Sequence, residues 1–230
     1  MLYYIGLSFM STIHHAVGDS HHNGAKRQRL KAETRAEARR ILSLLEDRPL
    51  EESDIAREAQ GRPFFPDREV NFNIAHSGAL AAVSYIRGKN LRTGCDVEQV
   101  RPRARAREIA DEFFSASERD YVSQSNFDEA RFYEIWTLKE CFLKLRGLSV
   151  FDMAACPSFI NEKNEFAFDA AAPFPLSFYL YELSGSGERY ILAAALEGPE
   201  QQPPEIRWFS QASLTCKMLK NILQTPCLLH

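Results

Sequence analysis

The segment from Asp128 to Arg146 constrains the fold more than any other part of the chain. Its apolar residues, Phe132, Ile135, Trp136, Leu138, Cys141, Phe142, Leu143 and Leu145, fall on nearly every side of a helix. Such a helix must be buried. Asn126 stands near its start and Gly147 is its stop. At about 100° per residue, Thr137, Glu140 and Lys144 share a stripe roughly 60° wide. A Glu140–Lys144 pair on a helix surface contributes only about 0.2–0.5 kcal/mol. That explains the spacing but not its place on a helix with so little other polar surface. A polar cleft holding a metal ion and an anion explains both.

A second carboxylate pair lies upstream, in Gly94-Cys-Asp-Val-Glu98. Residues two apart on a strand share a face, so Asp96 and Glu98 stand side by side. Two ionised carboxylates that close repel unless a positive charge lies between them, and a divalent cation serves. A third element is Asn73-Ile-Ala-His76-Ser77-Gly78, a strand ending at a histidine and a glycine-containing turn. Imidazole beside exposed backbone N–H groups suits a phosphate. The fourth is the segment from Lys26 to Arg40. Lys26, Arg27, Arg29, Lys31, Arg35, Arg39 and Arg40 against Glu33 and Glu37 leave a local excess of five positive charges. That suits a polyphosphate or an acidic partner. Together the four elements are what a Mg²⁺-dependent enzyme acting on a pyrophosphate ester needs.

The rest of the chain sets the frame. At 230 residues it makes one large domain or two small ones. A net charge of −3 argues against a nucleic-acid binder. No apolar run reaches the roughly 18–20 residues of a membrane span. The start, Met1-Leu-Tyr-Tyr-Ile-Gly, lacks a basic n-region and a small-residue cleavage site. Five sparse cysteines suit reduced thiols, so the expected location is cytoplasmic. Patterning predicts strands over 2–7, 70–75, 79–86, 91–98, 176–183, 190–197 and, at an edge, 206–209. Helices are predicted over 31–45, 51–60 and 128–146, with a capping box at Ser115-Ala-Ser-Glu118. The residues after Phe209 carry weak signals. The doublets His14-His15 and His21-His22 read as solvated loop histidines, and Cys95 as a small apolar strand residue. The expected class is α/β (α+β), in two α/β subdomains of comparable size meeting near Gly94: residues 1–94 and 95–230.

These residues resemble the Sfp-type 4′-phosphopantetheinyl transferases. That family's signatures are a GKP turn, an N-[IL]-S-H-S strand end, a G-[IVC]-D-[IVL]-E strand and a W-x-x-K-E-x-x-x-K helix. This chain has Gly61-Arg-Pro63, Asn73-Ile-Ala-His-Ser77, Gly94-Cys-Asp-Val-Glu98 and Trp136-Thr-Leu-Lys-Glu-Cys-Phe-Leu-Lys144, in the same order. The continuation Val100-Arg-Pro-Arg most resembles the AcpT (holo-[acyl-carrier-protein] synthase) branch. The resemblance implies a pseudo-twofold monomer with a coenzyme A site between its halves. It implies transfer of the phosphopantetheine arm to a carrier-protein serine, releasing adenosine 3′,5′-bisphosphate. Asp96, Glu98 and Glu140 would hold Mg²⁺, for which Mn²⁺ can substitute. Glu140 would be the base for the serine, and Lys144, with Lys139 beside it, would neutralise the phosphates. His76 would contact a coenzyme A phosphate, Arg62 would sit at the adenine-side turn, and Arg39 near the 3′-phosphate.

Two departures stand out. Arg62 replaces the family's lysine, and Ala75 replaces the serine before His76, removing a hydrogen bond available to a phosphate. The arginines of Arg101-Pro-Arg-Ala-Arg-Ala-Arg107 could meet an acidic carrier protein. The competing readings are a carrier-protein binding module without catalysis and a Mg²⁺-dependent hydrolase of a nucleotide pyrophosphate.

Overall fold

The computed structural model describes residues 2–10, 23–124, 126–168, 174–185, 187–199, 202–210 and 214–223. The histidine doublets lie outside them, and the side chains of Lys26 and Arg27 are not described. The chain opens with β1 (Leu2–Phe9) and α1 (Asn23–Leu45), followed by β2 (Ala56–Arg57) and β3 (Pro63–Phe64). Next come β4 (Val70–Ser77), β5 (Leu80–Arg87) and β6 (Arg92–Gln99). Three helices follow, α2 (Ala106–Phe113), α3 (Ala116–Ser123) and α4 (Glu129–Arg146). The chain continues through β7 (Leu176–Gly185), β8 (Glu188–Glu197), β9 (Glu205–Trp208) and β10 (Thr215–Leu223).

The larger strands form two four-stranded sheets, ordered β4-β5-β1-β9 and β10-β7-β8-β6. Within them every pairing is antiparallel except β1 with β9, which is parallel. Period-2 alternation explains how the layers stack. Tyr4, Val83 and Tyr85 face Ile41 and Leu42 of α1, while Tyr3, Ile5, Leu7 and Ala82 face the second sheet. On that sheet, Cys95, Val97, Tyr179 and Leu192 meet the first, and Phe178, Leu180, Ile191 and Ala193 meet α4. The result is helix, sheet, sheet, helix: a mixed α+β fold. No helix among the described residues is long and apolar enough to cross a membrane.

Several sequence expectations change here. Residues 51–60 are not a helix. A 3₁₀ turn at Glu52–Asp54 leads into the small β2–β3 hairpin, because Ile55 and Ala56 alone give no apolar helix face. His76 lies within β4, paired with Ala81, and not in the turn after it. The edge strand expected at 206–209 is β9. It joins the first sheet beside β1, so a segment from the end of the chain completes the sheet of its beginning. β10 was not expected. Most of its residues are exposed, so it lacks the alternation that marks a half-buried strand.

Candidate active site

The site forms where β6, α4 and the end of β4 converge. Gly94 sets the distance between strand and helix: a Cβ there would lie 2.6 Å from the Cys141 carbonyl oxygen and 3.0 Å from Leu145 Cβ. Only glycine lets β6 approach α4 this closely. α4 itself is fixed at both ends. The Asp128 side chain accepts from the N–H groups of Ala130 and Arg131, and Gly147 terminates the helix at φ 71°.

Two residues after Gly94, the Lys144 ammonium donates to Asp96 Oδ1 at 2.6 Å. Asp96 is 4% exposed, and its Oδ2 is buried without a hydrogen-bond partner. Burial, opposed by Lys144 and reinforced by Glu140 and Glu98, pushes the Asp96 carboxyl up to about 8. Burial also works against the Lys144 ammonium, but Asp96 and Glu140 overcome it and hold its pKa above the usual lysine value. Glu98 accepts from Ser77 Oγ at 2.8 Å. Its carboxyl is raised by burial, which outweighs the Ser77 hydrogen bond and Lys144. Glu140 is half-buried and contributes its charge to both neighbours.

Asp96, Glu98, Glu140 and Lys144 are therefore brought together, three carboxylates against one ammonium. Among the described residues no three His, Cys, Asp or Glu side chains are gathered as a ready metal-ligating set. The Lys144 ammonium takes a cation's place beside Asp96. The orphaned Asp96 Oδ2 and the mutual repulsion of the three carboxylates nevertheless fit a hard divalent cation, which takes oxygen ligands.

Lys144 also lines a cleft of about 360 Å³, with Lys31, Arg35, Arg57, Arg62 and His76 on its walls. An adjoining hollow of about 160 Å³ is lined by Arg35, Arg39 and Arg57. The sequence placed Lys31 and Arg35 in the basic segment but gave an individual role only to Arg39; the three recur every fourth residue on one face of α1. Arg40 is tied up elsewhere, donating to Glu37, Ser8 Oγ and the Phe209 carbonyl. Burial, then Lys144 and Lys31, lower the His76 pKa, so the imidazole is neutral at neutral pH.

Two residues do not sit as expected. Lys139 is 1% exposed and pairs with Glu118 at 3.1 Å, in the packing of α3 against α4. Glu118 also accepts from the N–H groups of Ser115 and Phe159. Consecutive helix residues point about 100° apart, so Lys139 cannot share the face of Glu140. Arg62 reaches the cleft wall, but its donors are engaged. It donates to the carbonyls of Lys144 (2.5 Å), Leu145 (3.0 Å) and Thr93 (2.9 Å) and to Asn71 Oδ1 (2.7 Å). Burial, with Arg92 adding to it, lowers its pKa to about 10. The guanidinium joins β4 and β6 to the end of α4. Ala75 packs in the core between the sheets.

Residues 92–195, which hold β6, α4 and the carboxylates, match the profile of the 4′-phosphopantetheinyl transferase superfamily. The chain is 35% identical over 102 residues to 4′-phosphopantetheinyl transferase AcpT of Escherichia coli (strain K12), a match covering 43% of this chain and 51% of that protein. It is 35% identical over 109 residues to 4′-phosphopantetheinyl transferase psf-1 of Bacillus pumilus, 44% of this chain and 43% of the relative. It is likewise 35% identical over 103 residues to 4′-phosphopantetheinyl transferase Sfp of Bacillus subtilis (strain 168), 43% and 44%. The chain thus spans about half the length of the relatives it matches. Within the matched region, the helix end that carries Lys144 opens onto the basic cleft.

Proposed function

We propose that the protein is a 4′-phosphopantetheinyl transferase. It moves the phosphopantetheine arm of coenzyme A to a serine of an acyl, polyketide or peptidyl carrier protein and releases adenosine 3′,5′-bisphosphate. One observation carries this reading. Lys144 belongs at once to the carboxylate cluster, through Asp96, and to the wall of the basic cleft. Such a junction suits a donor that is a polyanion on one side and reacts at a pyrophosphate on the other.

Lys31, Arg35, Arg57 and His76 bind the phosphates by charge and hydrogen bonding, and Arg39 in the adjoining hollow takes the 3′-phosphate. Asp96, Glu98 and Glu140 would hold Mg²⁺, or Mn²⁺ in its place. When bound, the cation neutralises pyrophosphate oxygens as the P–O bond breaks. Lys144, released from Asp96, turns its ammonium to the same charge. Glu140, half-buried like Glu98, takes the serine proton directly or through a water as the new P–O bond forms. The first half, 1–94, supplies most of the anion-binding groups. The second, 95–230, supplies the carboxylates and Lys144. The enzyme works as a cytoplasmic monomer.

The acceptor comes from the other side of Glu98. There Arg103, whose charge reaches Glu98, Arg107 and Arg189 line a groove of about 780 Å³ together with Glu108, Asp128 and Glu129. An acidic carrier protein fits these arginines, and its KM should rise with salt. The deciding experiment combines the protein with coenzyme A, Mg²⁺ and apo-carrier protein and follows carrier mass. A gain of about 340 Da, the mass of the transferred arm, supports the transferase. Carrier binding without mass change points to a binding module, and coenzyme A cleavage without an acceptor to a hydrolase.

A further inference from the structure

β4 and β6 lie edge to edge without a backbone ladder. Side chains of β4 accept instead from three N–H groups of β6. Asn71 Oδ1 accepts from Thr93 N at 2.8 Å, Asn73 Oδ1 from Cys95 N at 3.5 Å and Ser77 Oγ from Gln99 N at 3.0 Å. Of these three, only Ser77 also touches a carboxylate of the site, standing 2.8 Å from Glu98 Oε2. A hydroxyl has one proton to give. With the Gln99 amide arriving as donor, that proton goes to Glu98. The backbone of β6 therefore sets the direction of the hydrogen bond, and the bond suits an ionised carboxylate.

We infer that Ser77 is a positioning residue for Glu98. It holds the carboxylate in the orientation from which Glu98 binds the divalent cation, and it ties that orientation to the junction between the sheets. The inference rests on the transferase reading only in requiring that cation. Without the hydroxyl the Glu98 side chain gains rotational freedom, and the cation must then pay the cost of ordering it. Removing a group that orients a metal ligand typically weakens metal binding about 10–100-fold.

The test is Mn²⁺ titration of the full chain without coenzyme A, following free Mn²⁺ by electron paramagnetic resonance, with thermal unfolding in parallel. Ser77→Ala should raise the Mn²⁺ Kd about 10-fold or more, and Ser77→Thr, which keeps the donor, should restore it to within about 3-fold. If the alanine variant does not fold, Ser77→Cys replaces it, since a thiol of similar size is a much weaker donor. The same weakening is expected. Unchanged Mn²⁺ affinity in the folded Ala or Cys variant overturns the inference, as does equal weakening by Thr. If the unaltered protein binds no Mn²⁺, the cation reading itself fails. If it binds Mn²⁺ and Ser77 proves indifferent, only the positioning role fails.

Discussion

Lys144 Nζ lies 2.6 Å from Asp96 Oδ1, joining the middle of β6 to the last turn of α4. Asp96 is buried, and two further carboxylates act on it, so its proton affinity is high. The Asp96 carboxyl has an ordinary value of 3.8 and is raised to about 8 in the fold. Between those values the folded state holds the extra proton. Stability from this group is therefore fully present below the lower value and lost as pH rises through the upper one. A divalent cation competes with that proton. Mg²⁺ should raise the thermal midpoint by several degrees at about pH 8.5 and by much less at about pH 6. Equal shifts at both pH values would exclude Asp96 as a ligand.

Glu140→Gln changes one charge and little volume. Transfer should fall by about 10²–10⁴-fold, the usual range for losing a general base. The thermal midpoint should stay within a few degrees of the unaltered protein. Single-turnover carrier labelling by mass spectrometry gives the rate, and an unchanged rate removes Glu140 from its role.

Lys139→Met addresses stability. It leaves the Glu118 carboxylate, 0% exposed, without its cation. Breaking a buried pair from one side costs about 3–5 kcal/mol. Urea unfolding should show a loss of that order, while coenzyme A affinity per folded molecule stays within about 2-fold. A selective loss of affinity would return Lys139 to the donor site.

His76 should titrate below its ordinary value of 6.5, because burial, Lys144 and Lys31 all disfavour its cation. A folded pKa below the unfolded one means that the unfolded state takes up protons first, so this group costs stability as pH falls below about 6.5. A bound phosphate adds negative charge beside the imidazole and should raise its pKa. An imidazole NMR titration with and without adenosine 3′,5′-bisphosphate reads both. No upward movement on adding the nucleotide would place His76 away from the phosphates.

Local signals carried much of the fold. The greasy pattern of 132–145 with Gly147 behind it marks α4 almost to the residue, and the Ser115–Glu118 capping box starts α3 as read. β10 has no such pattern. Most of its residues face water, and besides its backbone bonds to β7 only Ile222 and Leu219 reach the core. β9 joins β1 across nearly the whole chain length, a pairing with no local trace in the sequence. In the site, the i,i+4 stripe of Glu140 and Lys144 and the i,i+2 pair of Asp96 and Glu98 were legible because helix and strand periodicities decide which side chains share a face.

Periodicity by itself settled which residues turn the same way: three carboxylates and a lysine on two elements. Tertiary structure alone decided what each charge meets. Lys139 and Arg62 carry the same formal charge as Lys144. Lys139 is spent on Glu118, Arg62 on carbonyl groups at the end of α4, and Lys144 stands between Asp96 and the cleft. The difference is one of burial and partner. A charge removed from water must be matched by whatever the packing brings against it, and that match depends on residues tens of positions away in the chain.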